Sequence, residues 1–372
     1  MKNRITTWIV KCLLVIGTLM VCLAILEIGL RVTGRHRSDG LVGFHAPRGV
    51  SYGLKANAST RVSWPTLSFT VHTCDLGFRA KQTGPRSLGG RPYYAVLGSS
   101  EVFGNGLDYE RTLVGVFGEK MERDGIDVVN MAAPGHHLME QSALFKEYAA
   151  SAKQPPTVVL ICLNPLFIGG YDDIHENVEV KMGHPVYRNR WKVTLAKLIV
   201  SKLSGSYCFF RDAIRNAQLK HFRRKDFSLS FYLECYSKQH PVRSPKRTEK
   251  FLDHLKELED YIRSLKATPV CVYFPAVGGF LLNDLKAKGQ LEGEPFDTSF
   301  FPDLMKRHCE SEGIQFVNLE PSLQDLYDKG QKLNFDLDAH FNGPTSRMIG
   351  EFLYRSLNPS RKAESNNGSM VR

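Results

Sequence analysis

The stretch from Tyr93 to Glu101, Tyr-Tyr-Ala-Val-Leu-Gly-Ser-Ser-Glu, decides the fold of this chain. Its first five residues form an apolar run typical of a strand that is buried on both faces. Gly98 and Ser99 end the run abruptly, and a helix is predicted to follow. A serine at such a strand-to-helix turn is where α/β hydrolytic folds place a nucleophile. We therefore predict that Ser100 lies in an active site.

A regular alternation of strands and helices surrounds this stretch. The predicted strands are Tyr93–Ser99, Asp127–Ala132, Thr157–Leu163, Pro269–Phe274 and Gln315–Leu319. The predicted helices are Thr112–Arg123, Leu138–Ala152, Glu249–Leu265, Phe301–Glu312 and Gly343–Leu357. Near-continuous apolar strands separated by amphipathic helices indicate a parallel sheet covered on both faces. The predicted fold is α/β: a three-layer α/β/α sandwich with a flavodoxin-like, five-stranded parallel sheet.

Three other segments place polar residues or glycine at or after predicted strands. Asn130-Met-Ala-Ala-Pro-Gly135 follows the second strand, and Leu163-Asn-Pro165 ends the third. Asp336-Leu-Asp-Ala-His-Phe-Asn342 lies near the C-terminus. Open α/β sheets bind ligands beyond the carboxyl ends of their strands. We therefore expect these segments to meet Ser100 at one edge of the sheet.

These segments contain the residue types of a serine-nucleophile site. A serine hydroxyl needs an adjacent general base, for which His340 is the candidate, with Asp338 fixing its tautomer. The backbone N–H groups of Ser100 and Gly135 and the side-chain amide of Asn164 would donate to an oxyanion. Each has a simpler explanation as well: Ser100 as a helix N-cap, and Gly135 and Asn164 as turn residues.

At these positions the sequence resembles the SGNH (GDSL-like) hydrolase superfamily. Ser100, Gly135, Asn164 and His340 match its serine, glycine, asparagine and histidine blocks, in that order. The resemblance implies the SGNH hydrolase fold and a serine esterase that forms an acyl-enzyme from O-acyl esters of a glycan, a lipid or a small molecule. It implies no metal and no organic cofactor.

The resemblance extends to membrane-anchored members through Glu27-Ile-Gly-Leu-Arg31 and Leu76-Gly-Phe-Arg79. Two positions depart from the usual family pattern. Ser99 replaces the aspartate before the serine, and Leu337 occupies the position three residues before the histidine, where the family usually has its aspartate. Gly-Ser-Ser-Glu and Asp-x-His occur in relatives that modify teichoic acids and polysaccharides. We therefore choose Asp338 as the triad acid, with Asp336 as the alternative.

Three functions stay open at this stage. The first is an ester hydrolase in which water releases the acyl group from Ser100. The second is an acyltransferase that modifies a cell-envelope polymer, with an acyl donor delivered by a separate multi-spanning membrane protein. The third is a non-catalytic, membrane-tethered binding protein, which the departures at Ser99 and Leu337 favour.

The N-terminus contains an apolar stretch of nineteen residues, Cys12–Leu30, broken only by Glu27. Nineteen residues just span a bilayer. A cleaved signal peptide would need a shorter apolar core and a small-residue cleavage site, and a buried core helix is hard to justify at the extreme N-terminus. We predict a single transmembrane anchor with the domain on the extracytoplasmic side, periplasmic or at the cell surface. Basic residues flank both ends, so the orientation is open.

The predicted organisation has four parts: residues 1–37 hold the anchor (transmembrane about 12–30), 38–90 an irregular lead-in, 91–358 the α/β/α domain, and 359–372 a polar tail.

A basic insertion at about 181–250 of this domain has seventeen Lys or Arg against four acids. The whole chain carries +11, so the basicity is local and does not indicate nucleic-acid binding. The insertion either lies on an anionic membrane or packs on the domain with a solvated basic face.

The eight cysteines have neither CxxC nor zinc-site spacing. Cys162 and Cys271 lie in predicted strands and are interpreted as core residues. A bridge between Cys208 and Cys235 is left open, because it depends on the compartment.

Overall fold

A long apolar helix precedes a mixed α/β domain. The computed structural model describes residues 2–32, 44–48, 51–63, 67–85, 90–169, 178–181, 184–187, 236, 244–275, 279–280, 282, 296–335 and 338–358. The helices whose bounds it describes are α1 (Lys2–Val32), α2 (Ser100–Phe103), α3 (Leu113–Arg123), α4 (Leu138–Ser151), α5 (Leu166–Gly169), α6 (Pro245–Ser264), α7 (Phe300–Glu312), α8 (Glu320–Asp328) and α9 (Gly343–Leu357). The described strands are β1 (His45–Arg48), β2 (Ser51–Leu54), β3 (Ser59–Ser63), β4 (Ser68–Thr73), β5 (Arg79–Ala80), β6 (Tyr93–Leu97), β7 (Asp127–Asn130), β8 (Val158–Leu163), β9 (Val178–Lys181), β10 (His184–Tyr187), β11 (Thr268–Tyr273), β12 (Gln315–Asn318), β13 (Asn334–Phe335) and β14 (Asp338–Phe341).

The central sheet has eight described strands in the order β12-β11-β8-β6-β7-β5-β4-β3. The five strands from β12 to β7 are parallel, whereas β5, β4 and β3 add to the β7 edge in antiparallel orientation. Counted along the chain, the parallel strands follow the flavodoxin-like order 2-1-3-4-5. The predicted five-stranded parallel sheet is confirmed. Strand β6, which leads to Ser100, lies at its centre between β7 and β8.

Helices cover both faces of this sheet. Successive strand residues point to opposite faces, and β6 shows the result. Tyr93, Ala95 and Leu97 pack in a core with α4, α6 and α7. Val96 packs in the opposite core with α3, α8 and α9. The predicted three-layer α/β/α sandwich is therefore confirmed.

Helices α5 and α8 were not predicted. The predicted helices and strands agree closely with observed ones, and the largest difference between their bounds is the start of α6. It was predicted at Glu249 and lies at Pro245. Ser244 caps this helix by accepting a hydrogen bond from the Arg247 N–H at 3.4 Å, and proline suits the first helical position because its missing N–H is not needed there. The helix therefore starts at the capping pair Ser244-Pro245, several residues before the point where its apolar residues begin to recur at helical spacing.

The prediction that residues 38–90 are irregular is wrong for their described part. β1 and β2 form a hairpin, and β3, β4 and β5 belong to the main sheet. In β4 the buried residues Phe69, Val71 and Thr73 alternate with less buried ones, which is the period of a half-buried strand. These short strands pair with one another and, through β5, with β7, and the pairing of β5 with β7 has no local sequence signal. Where the domain begins stays a prediction.

Helix α1 is long and apolar enough to cross a membrane. Its segment Val10–Leu30 has 21 residues with a mean hydropathy of 2.5, and 6% of it is buried. The side chains of Leu14 and Met20 are 66% and 64% exposed. A signal sequence near the N-terminus can meet the same criteria of length and hydropathy, so the helix is compatible with both an anchor and a signal sequence. Anchoring and membrane side stay predictions.

The basic insertion is described only in part. β9 and β10 form an antiparallel hairpin that contacts the β1–β2 hairpin. Residues 191–203 of the insertion lie outside the described residues, as do Cys208, Cys235 and the tail 359–372. Among the described cysteines, Cys162 and Cys271 are free and buried, which confirms them as core residues.

Candidate active site

Ser100 is the first residue of α2, and Gly98 and Ser99 separate it from the end of β6. The N-cap of α2 is Ser99, and its hydroxyl makes no capping bond to the described helix. The helix-cap explanation of Ser100 is therefore not supported. Ser100 lies at the carboxyl end of the central strand, which is the predicted position of a nucleophile.

Glu101 places a carboxylate beside both serines. Its Oε2 atom accepts a hydrogen bond from the Ser99 hydroxyl and lies 3.4 Å from the Ser100 Oγ, which donates to it. Ser99 replaces the aspartate of the family pattern that the sequence resembles, and Glu101 places a carboxyl group next to that position. Sequence reasoning assigned no role to Glu101, because a residue directly after the serine carries no pattern that reveals where its side chain turns.

Gly135 lies in the loop between β7 and α4 with a φ of +79°, a conformation that glycine adopts without steric cost. The loop is joined to the serine turn, because the Ala133 N–H donates to the Gly98 carbonyl oxygen at 3.3 Å. The structure therefore brings the glycine loop next to the strand end that leads to Ser100, as predicted from the parallel pairing of β6 and β7.

Asn164 directly follows β8, the neighbour of β6 on the other side. Its Oδ1 atom accepts a hydrogen bond from the Leu166 N–H at 3.0 Å, and the residue is only 6% exposed. This bond forms a turn that uses only the Oδ1 atom of the amide and fixes the amide plane. The Nδ2 atom can therefore donate to another group. The turn explanation and the oxyanion role of Asn164 are thus compatible.

His340 belongs to β14, which packs against the serine helix α2. Its Nε2 atom lies 3.5 Å from the Nδ2 atom of Asn105. This contact brings the Asn105 side-chain amide against the imidazole ring of the candidate general base. Asn105 is 6% exposed and its backbone N–H donates to the Ser100 carbonyl at 3.1 Å. It therefore connects the serine turn to the histidine.

The acid of the predicted triad is not settled by these contacts. The backbone of Asp338 lies in β14, two positions before His340. The side chain of Asp338 and the whole of Asp336 lie outside the described residues. Asp338 as the partner of His340, with Asp336 as the alternative, stays a prediction.

A buried arginine supports the loop that follows Ser100. Arg79 has no exposed surface, and its guanidinium donates to the carbonyl oxygens of Phe103, Gly104 and Leu107. The first two of these oxygens are freed where α2 ends. Burial lowers the pKa of Arg79 to about 10, so the group is still charged at neutral pH. The sequence showed Arg79 only as part of a family-like motif.

No protein-family model matches the sequence, and no curated protein matches it significantly. Lipolytic proteins of the G-D-S-L family and acetylxylan esterases are among the solved structures similar to the chain. A lipolytic G-D-S-L family protein from Veillonella parvula is 10% identical, with 70% of this chain and 94% of that chain covered and a TM-score of 0.40. One from Desulfitobacterium hafniense is 15% identical (71% and 98% covered, TM-score 0.38). A catalytic mutant of an acetylxylan esterase from Geobacillus stearothermophilus is 12% identical (72% and 92%, TM-score 0.39). These values assign neither a family nor an activity to the chain.

Proposed function

We propose that the protein is a serine-dependent ester hydrolase of SGNH type. The supporting observation is the arrangement at the carboxyl edge of the sheet. Ser100 follows the central strand, Gly135 and Asn164 follow the strands on either side, and the strand of His340 packs against the serine helix. A nucleophile, a base and donors for an oxyanion on neighbouring elements suit acyl transfer better than binding alone.

In the proposed reaction the Ser100 Oγ attacks the ester carbonyl carbon while His340 takes the hydroxyl proton. The carbonyl π bond opens, and its oxygen becomes an oxyanion that accepts from the N–H groups of Ser100 and Gly135 and from Asn164 Nδ2. The tetrahedral intermediate collapses, the alcohol leaves with the proton from His340, and an acyl-serine remains. A water then attacks this ester by the same steps and releases the acid.

Fluorophosphonate labelling tests this proposal directly. The wild-type protein is expected to form a covalent adduct, because an activated serine attacks the phosphorus centre and displaces fluoride. Mass spectrometry should place the adduct on Ser100, and the Ser100→Ala variant should not label. A folded wild-type protein that stays unlabelled contradicts the proposal and favours a binding protein instead.

The Asn164→Asp variant separates the oxyanion role of Asn164 from its role in the turn. Aspartate keeps the oxygen that accepts from the Leu166 N–H, but it replaces the Nδ2 donor with a second acceptor. We expect kcat to fall at least about 100- to 1000-fold, the usual cost of one lost oxyanion donor, while thermal stability stays close to that of the wild type. A kcat within tenfold of wild type, about 1.4 kcal/mol, would show that Asn164 serves only the turn.

We further propose that the apolar helix anchors this esterase to a membrane. Val10–Leu30 would anchor the chain, with the domain on the extracytoplasmic side and the basic insertion near anionic headgroups. O-acyl groups on envelope glycans or lipids are then the substrates within reach. If a polymer hydroxyl replaces water in the second step, the same acyl-serine leads to transfer, with an acyl donor supplied by a multi-spanning membrane partner. Carbonate extraction of membranes tests the anchor: an anchored chain stays in the pellet.

A further inference from the structure

The β1–β2 hairpin holds the glycine loop through one residue, Tyr52. The Tyr52 hydroxyl donates to the Pro134 carbonyl oxygen at 3.0 Å. On the other side of Gly135, the His136 Nε2 atom donates to the Tyr52 carbonyl oxygen at 2.8 Å. The residues before and after Gly135 are therefore both bonded to Tyr52.

The contacts around this clamp are tight and buried. Tyr52 is 8% and His136 1% exposed. Their rings meet edge to face with centroids 4.9 Å apart. A Cβ atom added to Gly135 would lie 2.7 Å from the Tyr52 hydroxyl oxygen, closer than real Cβ contacts allow. The loop thus has little room to rotate at Gly135.

We infer that Tyr52 is a positioning residue that sets the direction of the Gly135 N–H. This inference rests on the proposed function, in which that N–H donates to the oxyanion. An oxyanion donor contributes only when it is already aimed at the developing charge, and errors of about 1 Å cost up to 100-fold in rate. Removing the Tyr52 hydroxyl removes the donor to the Pro134 carbonyl oxygen and lets the glycine loop relax.

The first test compares two tyrosine-to-phenylalanine variants of the full chain. Tyr52→Phe is expected to lower kcat about 10- to 100-fold with little change in KM, and to slow fluorophosphonate labelling by the same factor, because both reactions need the oxyanion donor. Tyr148→Phe is the matched control. Its hydroxyl donates to the Tyr93 hydroxyl at 3.2 Å, and Tyr93 lies at the opposite end of β6 from the site. This control should lose stability but keep kcat.

If Tyr52→Phe lowers the thermal midpoint as Tyr148→Phe does and leaves kcat unchanged, the clamp is only structural. If both variants lower kcat equally, the effect is not specific to the glycine loop, and the inference is also wrong.

A second test measures the contact between Gly135 and the Tyr52 hydroxyl through thermal stability, and it does not depend on enzyme activity. Gly135→Ala places a methyl group against the Tyr52 hydroxyl, so Tyr52→Phe should relieve part of that damage. We expect the thermal midpoint of the double variant to fall by less than the sum of the two single losses. If the wild type does not label with fluorophosphonate, the proposed function fails and the positioning role fails with it. If the wild type labels but the midpoint losses add, only the role of Tyr52 fails.

Discussion

Replacing Ser100 or His340 with alanine is expected to lower kcat for a short-chain p-nitrophenyl ester by about four to six orders of magnitude. Ser100 supplies the bond-forming oxygen, and His340 is the general base assigned to take its proton in the transition state. The two residues act as one unit, so the double variant should be no slower than either single one. Steady-state kinetics of the three variants with the same ester checks this expectation.

A matched control tests whether a serine-to-alanine change away from the site also lowers the rate. Ser311 is an exposed serine on α7 whose hydroxyl donates to the His308 carbonyl oxygen at 2.8 Å. Ser311→Ala should keep the wild-type rate. Losses that multiply in the double variant of Ser100 and His340 would mean that the two residues act independently, and the pair as assigned here would be wrong.

The parallel sheet and the position of Ser100 were predictable because local patterns encode them. Each of the five strands is a short apolar run, and the flanking helices have their own periodicity and caps. Parallel strands that alternate with helices must align their carboxyl ends. The placement of Gly135 and Asn164 on either side of Ser100 then follows from the strand order, without knowledge of any side-chain contact.

The supporting residues were not predictable, because their partners are remote in the sequence. The contact between Asn105 and His340 joins residues 235 positions apart, and the bond from Tyr52 to Pro134 spans 82 positions. Gly104-Asn-Gly106 signals a turn, but nothing in it indicates what the asparagine faces. The β1–β2 hairpin that contains Tyr52 lies in residues 38–90, which were predicted to be irregular. Support for a site comes from packing between elements, and packing has no local signature.

The supports also explain how the serine turn is ordered with a serine at position 99, where the family pattern that the sequence resembles has an aspartate. The turn is held from three directions: by Arg79 from the sheet, by Ala133 from the glycine loop, and by Asn105 on the histidine side. None of these bonds involves the side chain at position 99. The substitution at Ser99 therefore leaves the backbone support of Ser100 in place.

Arg79→Met is expected to destabilise the fold, because each buried carbonyl oxygen that loses its donor costs about 1–3 kcal/mol in the free energy of unfolding. Methionine fills much of the same volume, but it leaves the carbonyl oxygens of Phe103, Gly104 and Leu107 without the donors that Arg79 supplies. It also removes the stacking of the guanidinium on the Phe103 ring, 4.5 Å from its centroid. Urea unfolding of the purified protein measures the change.

Two further variants decide whether the geometry or the charge of Arg79 matters. Arg79→Lys keeps the charge but offers one compact ammonium in place of a fork that reaches three carbonyls, so it should recover only part of the lost stability. Arg123→Met is the surface control: Arg123 pairs with Glu119 on α3 and its side chain is 68% exposed, so its loss should cost less than about 1 kcal/mol. Equal losses for Arg79→Met and Arg123→Met would refute the support role.

Because the supported loop carries Asn105, Arg79→Lys should also slow ester hydrolysis at temperatures where the variant is still folded. This loss of rate would link the buried cation to the site.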